Sequence, residues 1–301
     1  MAGTPDARWP RVRWVALWVL GFACGTAPFR AAPSPELVQS ADLMDPVAYD
    51  QHTASLRATL GRNHIELDAG PVVRSCAPHH GVDDCVRCEV ANRQDTSGID
   101  PDMIDAVAIA FARYPANVLS AALLEHVSLC RKIRYDHDQG PNPSGIAIID
   151  DKRLMISIET VRGDFTLEQI VHHEMFHLID HAMLGAKAYD DHEWHALNPP
   201  TFAYADPAAE TPARPPGFVD NYATTNELED RASVYELIMG QPQALCEIMA
   251  TDPLVRAKVK TIRTRVARIM GARRLPPEQC AKPPPPPRMK SPIPLNPREM
   301  R

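Results

Sequence analysis

The sequence TLEQIVHHEMFHLIDHAML, residues 166–184, has the pattern of one amphipathic helix with clear signals at both ends. Thr166 and Gln169 are spaced as a capping box, in which each side chain satisfies a backbone N–H of the other residue. Gly185 follows the last periodic position, and glycine is the usual residue at a helix C-terminus. We therefore predict a helix from residue 166 to about residue 184.

Within this helix lies His173-Glu174-Met175-Phe176-His177, which matches the pattern H-E-x-x-H. Residues four apart lie above one another on one helix face, so both imidazoles can reach a single ion. Glu174 lies beside that face, where its carboxylate can serve a water molecule without being a ligand. The pattern predicts one catalytic Zn²⁺ per chain, bound by His173 and His177. The alternative is a helix with a stripe of polar histidines.

A catalytic zinc site needs a third protein ligand and an open position for water. The metzincin pattern would place glycine at 180 and histidine at 183, but the residues are Asp180 and Met183, which excludes that class. His192 and His195, in the segment after the helix, are candidates by residue type alone.

The next predicted helix offers carboxylates, and a carboxylate from a second helix is the third ligand in glutamate-zincins. Three residues compete for this role: Glu227, Glu229 and Asp230. Glu229 shares a helix face with Ala232 and Ser233, whose small side chains would leave room beside a metal-binding helix.

At this point the chain resembles the glutamate-zincin metallopeptidases related to anthrax lethal factor and the clostridial Pro-Pro endopeptidases. It is more similar to bacterial zinc-binding metallopeptidases that are often exported or lipidated. These families have a tyrosine seven residues before the zinc-binding glutamate, the separation of Tyr222 and Glu229. The resemblance spans roughly residues 100–270. It implies Glu229 as the third metal ligand and Tyr222 as a donor that stabilises the transition state.

One position departs from the family pattern. The families carry a second glutamate four residues after the ligand, and this chain has Ser233 there. Support for a ligating histidine would then come from Asp230, Glu236 or Asp180, and the sequence does not select among them.

Taken together, these residues predict an α+β, zincin-like fold, mainly helical, with a small β-sheet over the H-E-x-x-H helix. The predicted function is an exported zinc endopeptidase that acts on a peptide or protein substrate, with Glu174 as general base and Tyr222 as oxyanion donor. The alternative is an exported zincin-like protein that binds a metal or a partner and cleaves nothing.

The predicted secondary structure around this helix is mixed. Residues 61–98 are expected to be loop-rich, and the C-terminal third to be helical. The helices are expected at 100–114, from about 118 to 127, and at 226–240, 243–250 and 252–270. The strands are expected at 132–135, 145–149 and 154–158, the last two as a hairpin.

The N-terminus has the pattern of an export signal over residues 1–27. Three arginines precede an apolar run of about ten residues, which is short for a membrane span. Cys24 could be the acylated cysteine of a bacterial lipoprotein, although Gly21 stands where that signal prefers leucine. A lipid at Cys24 is the one membrane attachment that the sequence suggests.

The rest of the chain divides into three parts. Residues 28–98 are predicted to be a linker that leads into a short helix and then a Cys/His-containing segment. Residues 99–272 form the predicted metallopeptidase domain. Residues 273–301 are a proline-rich tail, whose composition favours polyproline II over a packed core.

Six cysteines remain beyond Cys24, an even number that predicts up to three disulfides in an exported chain. The alternative is a metal site at Cys85-x-x-Cys88, near Cys76, His79 and His80. A structural zinc site usually needs two such cysteine pairs, and one is visible. Disulfides are therefore favoured, with their connectivity open.

Composition excludes other classes. Lys and Arg number 32 against 38 Asp and Glu, a net charge of −6 that does not favour a nucleic-acid partner. No stretch reaches 18 apolar residues, which excludes a protein with several membrane spans. The basic residues of the last helix are expected to form a solvated face: Arg256, Lys258, Lys260, Arg263, Arg265 and Arg268.

Overall fold

The computed structural model describes residues 44–76, 84–92, 96, 99–137, 142–158, 166–205, 214–271, 275–276 and 280. The predicted export signal with Cys24, the residues His79 and His80, and almost all of the proline-rich tail lie outside these residues. Among the described helices, none combines the length and the apolar character that crossing a membrane requires.

The fold is mixed, with helices and one sheet. The helices are α1 (Pro46–Gly61), α2 (Pro101–Ala112), α3 (Ala116–Ala121), α4 (Leu167–Leu184), α5 (His192–His195), α6 (Glu227–Gly240), α7 (Pro242–Thr251) and α8 (Pro253–Met270). The strands are β1 (Glu66–Leu67), β2 (Val72–Ser75), β3 (Val86–Val90), β4 (His126–Tyr135), β5 (Gly145–Ile148) and β6 (Arg153–Ser157). Short 3₁₀ turns cover Gly185–Tyr189 and Tyr222–Thr224.

The six strands form one sheet in the order β2-β3-β4-β6-β5, with β1 beside the start of β4. The β4–β6 and β1–β4 pairs are parallel, whereas the other pairs are antiparallel. The predicted hairpin is confirmed, because Gly145 pairs with Ile156 and Ile148 pairs with Arg153. Strand β5 lies at one end of this order, so one of its edges has no neighbouring strand in the described sheet.

Helix α4 lies at the centre of the fold. It packs against α2 and α6 on its sides and against β5 and β6 of the sheet. Every residue from 169 to 180 is buried, so polar groups in this stretch must find partners inside the protein. The predicted capping box of Thr166 and Gln169 is present, and Gly185 ends the helix with a positive φ of 57°.

The segment before residue 99 is more ordered than the sequence suggests. Helix α1 packs along α2, and its Leu56 and Leu60 are fully buried in the main core. Strands β2 and β3 join the sheet through β4, where the sequence predicts loops. The prediction failed because these strands are short, and their apolar residues are buried only through pairing with a strand far along the chain.

The segment after α2 also differs from the prediction. A second helix is predicted to continue to Val127, but α3 ends at Ala121 and the chain turns at Leu123, whose φ is 55°. Strand β4 then begins at His126, six residues before the predicted strand. Helical spacing and strand alternation both place Val127 inside, so the local pattern did not separate the two.

The described cysteines form disulfides in the pairs Cys76–Cys85, Cys88–Cys130 and Cys246–Cys280. The disulfide prediction is confirmed, and the metal site at Cys85 and Cys88 is wrong, because each thiol has a different disulfide partner.

Helix α8 corrects the prediction of a solvated basic face at Lys258, whereas Arg256, Lys260 and Arg268 are exposed as expected. Lys258 is fully buried, and its ammonium lies 2.6 Å from Asp230 and 3.8 Å from the ring centre of Phe218. Lys258 lies on the same helix face as the buried residues Val255 and Val259, and this spacing in the sequence indicates burial. A buried cation of this kind requires a charged partner, which Asp230 provides.

We expect Leu56→Ala to lower the free energy of unfolding by about 2–5 kcal/mol, because truncating a buried leucine leaves a cavity. Val47→Ala on the same helix is the control, since Val47 is 53% exposed and its loss should cost under about 0.5 kcal/mol. Urea unfolding followed by circular dichroism measures both. Equal small effects would show that α1 is not part of the core.

Candidate metal site

His173 and His177 project from one face of α4, as their spacing predicts. Their ring centres lie 4.9 Å apart, and both side chains are buried. The two imidazoles therefore lie mainly among protein groups, with little exposure to bulk water.

Helix α6 brings Glu229 to these imidazoles. The Asn226 side chain caps this helix by accepting a hydrogen bond of 3.0 Å from the backbone N–H of Glu229. The Glu229 carboxylate therefore lies in the first helical turn, where the helix dipole favours a negative charge. Its Oε2 lies 2.8 Å from His173 Nε2 and 3.5 Å from His177 Nε2.

These three residues form a group that could hold a metal ion. One ligand atom from each residue lies within 4.8 Å of the other two. In a tetrahedral zinc site with bonds of about 2.0–2.1 Å, ligand atoms are about 3.3 Å apart. The distance of 3.5 Å between Glu229 Oε2 and His177 Nε2 already matches this spacing. The distance of 2.8 Å between Glu229 Oε2 and His173 Nε2 would lengthen slightly. Two imidazoles and a carboxylate are also the donor set of many catalytic zinc sites.

Glu236 supports His173 from the other side of the ring. Its Oε2 lies 2.8 Å from His173 Nδ1, which leaves Nε2 directed at Glu229. Such a carboxylate fixes the tautomer and orientation of a metal-binding histidine. Of the three residues left open by the sequence, Glu236 is therefore the one in contact with a site histidine.

The other two candidates are engaged elsewhere. Asp230 accepts hydrogen bonds from Trp194 Nε1, Tyr204 and Lys258. Asp180 pairs with the buried guanidinium of Arg231 at 2.8 Å. Both therefore stabilise the packing of α6, and Asp180 also interacts electrostatically with His177.

The carboxylates around His173 change its proton affinity. Burial alone would lower the pKa of His173, but hydrogen bonds with Glu229 and Glu236 raise this pKa well above its ordinary value. Burial would raise the pKa of Glu229, but His177 and His173 hold it well below its usual range. These contacts therefore favour an ionised Glu229 beside a protonated His173.

Glu174 lies under the first residue of β5. A Cβ atom built on Gly145 would come within 2.6 Å of Glu174 Cγ and 2.9 Å of its Oε1, so the absence of a side chain at Gly145 allows this packing. Burial raises the pKa of Glu174, while His177 and His173 oppose this shift. The glutamate thus has an elevated proton affinity next to the group that could hold the metal.

Tyr222 occupies the short turn before α6, and its ring centre lies 5.9 Å from that of His173. The residue is 49% exposed, but its hydroxyl end interacts with Glu229. Desolvation of that end, followed by the nearby charges of Glu229 and Glu174, raises the pKa of Tyr222 well above its ordinary value. The phenol is therefore a hydrogen-bond donor at neutral pH.

The remaining candidates lie outside this group. His195 contacts Glu227 at 3.2 Å, and His192 is exposed beside Asp190. Sequence reasoning missed Gly145. Its signal was a glycine at the start of a β-branched strand, which often marks close approach of another group.

No protein-family model matches the chain, and neither does any curated protein. Among solved structures, the chain is similar to one from Bacteroides caccae described as a "putative zinc-binding metallo-peptidase". The two share 12% identity with a TM-score of 0.41, over 78% of this chain and 92% of the other. This similarity is distant.

We expect one zinc ion to bind per chain and His173→Ala, His177→Ala or Glu229→Ala to abolish tight binding. Loss of a ligand should weaken zinc affinity by more than the roughly 10- to 100-fold seen for outer-shell changes. His195→Ala is the control, because His195 is outside the group. Metal analysis after dialysis and competition with a chromophoric chelator give the measurement. Full zinc binding by Glu229→Ala would place the third ligand elsewhere.

Proposed function

We propose that the protein is an exported zinc-dependent endopeptidase of the glutamate-zincin type. The observation that carries this proposal is the convergence of His173, His177 and Glu229 with Glu174 beside them. A site that only stored or carried metal would need no buried carboxylate with a raised pKa at this place.

When bound, zinc would supply Lewis-acid activation of a water molecule and of a peptide carbonyl. His173, His177 and Glu229 would hold the ion. Glu174 would take a proton from the attacking water and deliver it to the leaving amine, for which its raised pKa is suited. Tyr222 would donate its phenolic proton in a hydrogen bond to the developing oxyanion.

The edge of β5 supports an extended peptide as the substrate. Strand β5 pairs only with β6 in the described sheet, and its first residue lies against Glu174. Free edges of this kind can bind a peptide as an additional strand. A peptide bound there would pass directly over the general base.

Export is proposed from the predicted signal over residues 1–27 and from the disulfides. Three disulfides form among the described cysteines, which fits an oxidising compartment outside the cytosol. We propose that the protein is located in the cell envelope or in the medium. A lipid at Cys24 would keep it attached to the membrane.

Glu174→Gln tests the proposed reaction. We expect this variant to bind zinc like the wild type and to lose at least about 10²–10⁴-fold in peptide hydrolysis, the usual contribution of a general base. A peptide-library digest read by mass spectrometry, with and without a chelator, supplies the measurement. Full activity of Glu174→Gln would refute the mechanism. Zinc binding without any cleavage by the wild type would favour the non-catalytic alternative.

Tyr222→Phe should lower kcat by about 10²–10³-fold, the cost of removing one oxyanion donor. Zinc affinity and KM should change little, because the phenol is not among the proposed ligands. Tyr189→Phe is the matched control, since Tyr189 is 53% exposed and belongs to a different turn. If Tyr222→Phe instead raised KM at constant kcat, the hydroxyl would contribute to substrate binding and not to the transition state.

A further inference from the structure

A cavity of about 320 Å³ opens beside His173. Its floor is α4, and its walls are α6, Tyr222 and the start of β5. Its lining includes Pro143, Ile170, His173, Glu174, Ser233 and Glu236. Because it includes both Glu174 and a candidate metal ligand, any group bound there is next to the reacting bond.

The lining has an apolar part and an acidic part. Pro143 and Ile170 give it apolar surface, while its two carboxylates are those of Glu174 and Glu236. Among the described lining residues there is no lysine or arginine. The cavity therefore favours a ligand with an aliphatic stem and a positive charge over a ligand with a carboxylate.

Glu236 identifies where the positive end would bind. One carboxylate oxygen, Oε2, contacts His173 Nδ1. The other oxygen, Oε1, has no hydrogen-bond partner among the described residues. It is buried, and Glu236 as a whole is only 3% exposed. A buried carboxylate oxygen without a donor is costly, so a donor from a ligand would be stabilised strongly here.

Besides Glu236, Ser233 is the residue of α6 that lines the described cavity. It precedes Glu236 by one helical turn on α6 and lines the same cavity with a small side chain. Its hydroxyl is a further acceptor for an ammonium or guanidinium group.

We propose that this cavity is the specificity subsite of the enzyme and that it selects a substrate with lysine or arginine next to the scissile bond. The stem of the basic side chain lies against Ile170 and Pro143, and its cationic end donates a hydrogen bond to Glu236 Oε1 once a small shift of the Glu236 side chain exposes this buried oxygen to the cavity. This inference rests on the proposed peptidase function, but it concerns binding and is tested separately from hydrolysis.

The experiment uses peptides that are identical except for Lys, Met or Glu at one position, placed in turn on either side of the scissile bond. For zinc-loaded wild-type protein, we expect kcat/KM for Lys to exceed that for Met by about 10–100-fold at one of the two positions, as for a charge-assisted hydrogen bond to a buried carboxylate. The Glu peptide should be the poorest substrate. The same order is expected for dissociation constants measured by fluorescence anisotropy on zinc-loaded Glu174→Gln.

Glu236→Gln separates charge selection from support of His173. The glutamine carbonyl can still accept a hydrogen bond from His173 Nδ1, but the negative charge is gone. We expect the Lys-to-Met ratio to fall close to one. If Glu236 were only a support for His173, kcat/KM would fall by the same factor for all three peptides. Glu227→Gln is the control on the same helix, because Glu227 does not line the cavity and should leave the ratio unchanged.

The outcomes distinguish the two proposals. Cleavage without a preference for Lys at either position would overturn the subsite and leave the peptidase function intact. Selective binding of Lys peptides with no hydrolysis of any peptide would support the subsite and reject the peptidase. Neither binding nor hydrolysis of any peptide would reject both.

Discussion

The clamping of His173 between two carboxylates is the interaction on which the site depends. Glu229 contacts Nε2 and Glu236 contacts Nδ1, each at 2.8 Å, and both carboxylates come from α6. A buried imidazole with both nitrogens occupied has one orientation, so the packing of α4 on α6 sets the position of the ligand. The ring contact of Phe176 with Tyr235, at 4.7 Å between centres, belongs to the same interface.

Burying this many charges is costly, and the fold offsets the cost by pairing them. Arg231 pairs with Asp180, and Lys258 pairs with Asp230, all within the packing around α6. Removing one partner of such a pair leaves an uncompensated charge inside the protein, which is strongly destabilising. These pairs constrain where α6 can lie against α4 and α8, and therefore where Glu229 lies. Stability of the helical core and geometry of the site thus share the same interactions.

Local patterns predicted the parts of the site that depend on local spacing. The i and i+4 relation of His173 and His177 is a property of one helix, and the capping box and hairpin also involve residues close in sequence. The sequence could not select Glu236 over Asp180 and Asp230 as the residue that supports His173. That choice depends on how α6 is rotated against α4. The burial of Lys258 depends in the same way on Asp230, which lies 28 residues earlier in the chain.

The errors in the N-terminal half have a related cause. Helix α1 and strands β2 and β3 have weak local patterns, and their burial comes from α2 and from β4. Strand β4 itself was partly mistaken for a helix, and β3 cannot be assigned before its partner is known.

The contacts of His173 fix its ring from both sides. The two short contacts of His173 satisfy both of its nitrogens, while Glu229 shares one oxygen between His173 at 2.8 Å and His177 at 3.5 Å. Binding an ion would replace the contacts at Nε2, but the contact of Nδ1 with Glu236 uses the opposite side of the ring and can persist. The carboxylate of Glu236 can therefore orient His173 both before and after an ion binds. Its second oxygen accepts no hydrogen bond among the described residues, which is why we propose it as the partner of a basic substrate side chain.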